Sequence, residues 1–255
     1  MKDFMTPYFH VTRLSGKRPK TTCALNLGSC KRIRSVITLS FIPRTNIEAA
    51  VKEAIEASPP RKFKQSVELI VVLRDVDPRT PEGRIREIVF LPNQPKKHVR
   101  ICVVADGDMA IKAKEVADKV LTREDIQSIM GNKKAAKKIA EECDWVLVKT
   151  DLMPIAGRTL GPALGPRGKI PVPVPPTADI HAYVERYRKA VLIRTKDQPQ
   201  IMCRVGTIDM SIKDIVDNIQ AVLQALESKL RNPPYNIARV IVKTTMGPPI
   251  EVKLR

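Results

Sequence analysis

The sequence predicts an α/β chain of two domains, one of them built on a small parallel sheet. Three observations carry this. Short continuous apolar runs at 101–104 and 145–148 alternate with helical stretches between residues 99 and 194, the pattern of parallel strands covered on both faces. On either side of that region the rhythm differs, with longer strands interleaved with amphipathic helices before residue 99 and again after Thr195. Finally, 255 residues suffice for one large or two ordinary domains with real interiors.

The elements follow in order. Residues 1–44 carry nine Lys/Arg and a single acid, Asp3, with little periodicity before residue 35. They read as a basic, disordered extension, either an RNA-binding tail or an accessory segment. Thr45-Asn46-Ile47-Glu48 has the form of a capping box, and Ile47, Val51, Ala54 and Ile55 keep helical spacing until Pro59-Pro60 stops it. Strands are predicted at 67–73 and 85–91, with a turn-rich stretch from Asp75 to Gly83 between them. After the strand at 101–104 come helices near 109–118, 123–130 and 132–142, then the strand at 145–148. A Gly/Pro-rich segment at 153–171 reads as a loop. A helix near 179–189 and a strand at 190–194 complete the parallel-sheet unit. Residues 201–205 are strand-like. Ser211-Ile212-Lys213-Asp214 then caps a helix whose apolar face is Ile212, Ile215, Val216, Ile219, Val222, Leu223, Leu226 and Leu230. Asn232-Pro233-Pro234 ends it, and strands at 238–244 and 251–254 flank the turn Met246-Gly247-Pro248-Pro249.

Forty-five Lys/Arg against 27 Asp/Glu give a net charge of +18. Such an excess points to nucleic acid as partner, with an anionic membrane surface second. No apolar run is long enough to span a bilayer and no leader pattern is present, so a cytoplasmic protein without a membrane partner is expected. The five cysteines lack pair spacing, which indicates neither a disulfide framework nor a metal site. Cys102 and Cys203 lie in apolar runs and read as buried small hydrophobes. Gly168-Lys169 is not a P-loop, because Ala163 stands where the first glycine is needed and Ile170 where the hydroxyl is needed. Val103-Val104-Ala105-Asp106-Gly107-Asp108 ends a strand and opens a helix, but acids stand where a pyrophosphate would sit, so a helix N-cap is the simpler reading. No catalytic constellation and no cofactor motif emerges. The rival reading is a nucleotide-dependent enzyme on the parallel-sheet domain.

Two stretches speak to polyanions. In 153–171, Gly157, Gly161, Gly165 and Gly168 stand among prolines with Arg158, Arg167 and Lys169. The segment is either a surface loop with solvated charges or backbone brought close to a polyanion. Strand alternation places Arg239, Ile241, Lys243 and Thr245 on one face and Val240, Val242 and Thr244 on the other. That charged face is either merely exposed or in contact with RNA.

Together these segments resemble the L-one family of large-subunit ribosomal proteins, in its archaeal form. Lys62-Phe63-Lys64-Gln65-Ser66-Val67-Glu68-Leu69 matches its first strand motif, 152–171 its central loop, Asp217-Asn218-Ile219 its late helix, and Thr245-Met246-Gly247-Pro248 its C-terminal signature. The likeness covers 45–255 and leaves 1–44 outside. It implies a discontinuous α+β domain with a mixed sheet, from 45–99 and 195–255, and an inserted Rossmann-like domain at 100–194 with hinges near 98–101 and 193–197. It also implies a ribosomal protein of the cytoplasm, without enzyme activity, that binds large-subunit rRNA at the mobile stalk near the tRNA exit site. Release of deacylated exit-site tRNA and repression of its own mRNA follow from the same resemblance. The RNA contacts it implies are Lys62, Phe63, Ser66, Glu68, Thr245, Met246 and Gly247, supported by Arg239 and Lys243 on the charged strand face. Arg167, Gly168 and Lys169 would add a weaker contact. Glu68 is unusual for a polyanion site, but a carboxylate can accept from a ribose 2′-hydroxyl or a base amino group.

Overall fold

The computed structural model describes residues 42–81 and 83–254, so the extension expected at 1–44 lies almost wholly outside the described residues. The first elements are α1 (Arg44–Glu56), β1 (Ser66–Leu73), β2 (Arg86–Phe90), β3 (Ile101–Val104), α2 (Asp108–Val116), β4 (Lys119–Leu121), α3 (Arg123–Ile129), α4 (Lys133–Glu142) and β5 (Trp145–Lys149). After a single 3-10 turn come α5 (Met153–Leu164), β6 (Pro171–Val174), α6 (Ile180–Arg188), β7 (Ala190–Arg194), β8 (Gln200–Thr207), α7 (Ile212–Glu227), α8 (Pro233–Asn236), β9 (Ile237–Thr244) and β10 (Ile250–Glu251).

The fold is α/β, with one antiparallel and one parallel sheet. Strands from both ends of the sequence form the first, in the order β10-β9-β1-β8. It was expected to be mixed, yet every pairing in it is antiparallel. Alternation along β1 sends Val67, Leu69, Val71 and Leu73 to one face. There they pack with Ile47, Val51 and Ala54 of α1 and with Ile215, Ile219, Val222 and Leu226 of α7. The opposite face carries no helix from this core and stays half-exposed.

The parallel sheet has the order β4-β3-β5-β6. Its strands are apolar on both faces for the expected reason. Cys102, Val104, Val146 and Val148 meet α3, α4 and α5, while Ile101, Val103 and Leu147 meet α2 and α6. The strand at 190–194 does not join this sheet. β7 pairs antiparallel with β2, and the resulting ladder sends Val89 and Ile193 into the first core while Ile88 and Phe90 pack on the second.

Several local expectations are corrected. The capping box at Thr45 does not form. The cap is Pro43, and the Glu48 carboxylate is drawn to Arg44 Nε (3.1 Å) instead of a backbone N–H. Before α2 the cap is Gly107 at φ 63°, without a side-chain acceptor, so neither Asp106 nor Asp108 caps it. A true capping box occurs at Thr122 and Asp125. At Ser211 the hydroxyl accepts from Asp214 N (3.2 Å), as the sequence predicts. α7 ends at Glu227, and the two prolines expected to terminate it instead begin α8. Cys102 and Cys203 are buried as expected. Burial pushes the Cys203 thiol up to about 12, and Cys102 shares a buried cluster with Cys143, a proximity that spacing did not reveal. Among the described residues no helix is long and apolar enough to cross a membrane, and no His/Cys/Asp/Glu group could hold a metal ion.

Candidate nucleic-acid interface

The register of β1 on β9 pairs Val67 with Thr244 and Glu68 with Lys243. The start of β1 therefore lies beside the end of β9, and the segments at 57–65 and 245–249 emerge together. Three bonds hold them. Thr245 N donates to Ser66 O (3.0 Å), the Thr245 hydroxyl accepts from Ser66 N (3.1 Å), and it lies 3.2 Å from Ser66 O. Gln65 is buried; its amide accepts from Met246 N (3.2 Å) and donates to Pro59 O (2.7 Å). Gly247 closes the turn by donating to Thr244 O (3.3 Å), and a Cβ there would run into the Thr244 side chain.

With the backbone so fixed, Phe63 and Met246 project at 52% and 51% exposure. Two large apolar side chains are thus left exposed on segments that emerge side by side. Around them Lys62 has no ion-pair partner among the described residues, while Lys64 pairs with Asp209 (3.0 Å). Ser66 and Glu68 are half-buried on the helix-free face of the sheet. There Glu68 stands between Lys243 on β9 and Arg204 on β8, its cross-strand neighbours. Arg239 lies further along β9, opposite Val72, with Glu251 at 3.9 Å. The structure thus brings Lys62, Phe63, Ser66, Glu68, Lys243, Thr245, Met246 and Gly247 to one surface, with Arg239 on the same face at its far end.

Two contributors were not singled out from the sequence. Gln65 was visible only as one letter of a motif, and nothing in its neighbours signals that its amide is buried. Arg204 joins the surface through the β1–β8 register. Its Nε has no hydrogen-bond partner, and burial lowers its pKa.

The segment at 153–171 differs most from its reading as a loop. Its first part is α5, packed through Ala156, Leu160, Ala163 and Leu164, and its end is β6. Gly157 and Gly161 have open space where a Cβ would stand, so no close approach within the protein requires them. Arg167 forms an ion pair with Glu141 and donates to Ala163 O (3.2 Å). Lys169 Nζ donates to Ala140 O (2.9 Å) and Cys143 O (2.6 Å), satisfying carbonyls at the end of α4. These bonds occupy both side chains away from the Phe63–Met246 surface. Gly168 is different, because its φ of 70° favours glycine and the Arg194 guanidinium fills the space a Cβ would take. Gly168→Ala is expected to cost about 2 kcal/mol, a fall of roughly 4–8 °C in Tm for a chain of this size. A thermal melt checks this, and an unchanged Tm would refute it.

Residues 46–248 match the profile of the Ribosomal protein L1p/L10e family. The chain belongs to that family. Membership fits the coming together of the first and last motifs, since both fall on the same surface. The large ribosomal subunit protein uL1 of Hyperthermus butylicus is 70% identical over 217 residues, covering 85% of this chain and all of the relative. The uL1 proteins of Staphylothermus marinus and Aeropyrum pernix are 60% and 53% identical, over 82% and 81% of this chain and 97% and 94% of theirs. All three relatives are named as proteins of the large ribosomal subunit. That removes the rival nucleotide-dependent reading, and Asp106, Asp108 and Asp151 near the carboxyl ends of β3 and β5 agree, since carboxylates would repel a phosphate there.

Proposed function

We propose that this protein is a constituent of the large ribosomal subunit, working in the cytoplasm on the ribosome, and that it binds large-subunit rRNA at the mobile stalk. One observation carries the reading. Two stretches 179 residues apart in sequence, at Ser66 and Thr245, are bonded into a single surface that exposes Phe63 and Met246 beside cations. The binding region is then a discontinuous domain from 45–99 and 195–255, with 100–194 as an inserted domain. Lys62, Lys243 and Arg239 displace counterions from phosphates and supply affinity that falls with salt. Phe63 offers a ring to an unstacked base, and Met246 packs against ribose or base faces. Glu68, held between two cations, accepts from a 2′-hydroxyl or base amino group and so favours a particular RNA shape. Arg167 and Lys169 add a weaker contact through side-chain donors their internal bonds leave free, with Gly168 between them admitting close approach of the RNA to the backbone.

On the ribosome the same protein would help deacylated tRNA leave the exit site, and off it would bind a similar structure in its own mRNA and repress translation. Crosslinking in lysate followed by sequencing of the attached RNA tests all three partners. Stalk rRNA should dominate, with exit-site tRNA recovered from ribosomes and the protein's own message from the ribosome-free pool. Reads spread evenly over cellular RNA would refute the assignment. In a titration against purified large-subunit rRNA, the Lys62→Ala/Lys243→Ala double variant should lower the slope of log K against log salt by about 2. An unchanged slope would remove both lysines from the interface.

A further inference from the structure

At the opposite end of β1 from Phe63 and Met246 lies a cavity of about 690 Å³ whose lining includes Arg79, Arg84, Arg86, Arg194 and Lys196. These five cations come from the segment after β1, from the start of β2 and from the end of β7. The antiparallel β2–β7 pairing sets Arg86 directly opposite Arg194. Asp197 also lines the cavity, yet among the described residues no carboxylate lies within ion-pair distance of any of the five. Of the described acids nearby, Asp77 accepts from the Arg79 backbone N–H (2.9 Å) and Glu87 pairs with Lys229 (3.5 Å). Burial, then the neighbouring Arg194 and Arg84 charges, lower the Arg86 pKa. Among the described residues, five cations and one carboxylate, Asp197, line this concavity; the excess of like charge is self-repelling, and a bound polyanion relieves that repulsion.

The cavity does not end there. Arg194, Lys196 and Asp197 also line an adjoining hollow of about 360 Å³, with Gln198, Gln200 and Met202, the last 57% exposed. Cations in one part and amide plus apolar groups in the next suit a strand of alternating phosphates and nucleosides better than a compact anion. The helix-free face of the antiparallel sheet leads back from this trough. Gln200 and Arg239 flank Val72, Met202 and Ile241 flank Ile70, and Arg204 and Lys243 flank Glu68. β1 has eight residues, so the two ends of this face are about 25 Å apart, within reach of one folded RNA.

We propose that the trough formed by Arg79, Arg84, Arg86, Arg194 and Lys196 is a second phosphate-binding track for the RNA held at the Phe63–Met246 surface. The proposal rests on the RNA-binding reading above but concerns separate residues. The track adds electrostatic affinity and fixes the orientation of the RNA along the sheet, because two anchors at opposite ends of β1 define a direction that one cannot.

The test is a titration of the full chain with purified large-subunit rRNA across a range of salt. It compares wild type, Arg84→Ala/Lys196→Ala and Met246→Ala. Arg84 and Lys196 are exposed and have no ion pair among the described residues, and Arg194, which packs on Gly168, is left in place. The double variant should bind about tenfold more weakly near physiological salt, with the slope of log K against log salt smaller by about 2. Its Tm without RNA should be unchanged or higher. Met246→Ala should weaken binding at an unaltered slope. If wild type binds and Met246→Ala weakens it while the double variant keeps both affinity and slope, the track is overturned and the first surface stands. If wild type binds no rRNA, both readings fall. A parallel arm with inorganic pyrophosphate separates a small-anion pocket. A Tm rise in wild type that the double variant lacks, together with an unchanged RNA slope, would overturn the RNA assignment.

Discussion

Met246→Asp is expected to reduce affinity for large-subunit rRNA about a hundredfold while leaving the melting temperature where it is. The side chain is 51% exposed and its backbone N–H is tied to the buried Gln65 amide, so the substitution changes what the surface offers without moving the turn. A carboxylate there meets phosphates at close range, and like charges brought together at an interface cost several kcal/mol. A hundredfold loss corresponds to about 2.7 kcal/mol, at the lower end of that range, because a half-exposed carboxylate is partly screened. Met246→Leu keeps the apolar contact and should bind within a few-fold of wild type. Filter binding at fixed salt decides the matter, and wild-type affinity in the Asp variant would remove Met246 from the interface. Thr245 is a poorer probe although it belongs to the same motif. Its hydroxyl bonds Ser66, so Thr245→Ala loosens the β1–β9 junction as well as the surface.

What the sequence disclosed, and what it hid, divides along a physical line. Strands buried on one face declare themselves by alternation and strands buried on both by an unbroken apolar run, because a wrong side chain there would be a buried polar group. β1, β3, β5 and β9 were therefore readable to within a residue or two, as was the face of β9 that carries Lys243. α5 was hidden because its glycines and Pro162 oppose a helix. Burial of Ala156, Leu160, Ala163 and Leu164, at helical spacing, overrides that preference through contacts made only after folding. β4 was hidden because three residues are too few to show a period, and β6 because Pro171 and Pro173 read as loop. The partner of β7 was hidden since its composition suits either sheet, and only the tertiary fold brings it beside β2. The interface shows the same division. Its exposed residues were named through motif resemblance, whereas Gln65, which aims Met246, and Arg204, which flanks Glu68, depend on burial and register that no local pattern encodes.

Asn218→Leu should be the most damaging single substitution of those considered, lowering stability by about 3–5 kcal/mol. Asn218 is fully buried within α7 at a position that should belong to an apolar side chain. Its amide is used completely. Nδ2 donates to Asn93 O (3.0 Å) and Val205 O (2.8 Å), and Oδ1 accepts from Asn93 N (3.0 Å). One side chain thus ties the segment after β2, the strand β8 and the helix α7 together. Leucine fills the same volume but leaves two carbonyls and one N–H without partners, each costing about 1–3 kcal/mol when buried. The total stays below the simple sum because the segment at Asn93 is only half-buried and can turn towards water. Urea unfolding should show the loss as a lower midpoint at an unchanged m-value, and a loss under 1 kcal/mol would refute the latch. rRNA affinity of the folded variant at low temperature should stay near wild type, because Asn218 contributes nothing to the Phe63–Met246 surface. Its neighbour Asp217 pairs with Arg44 at the start of α1 (2.8 Å). The Asp217-Asn218-Ile219 motif therefore acts by holding helices and strands in register, and RNA recognition depends on it only through the scaffold that brings β1 and β9 together.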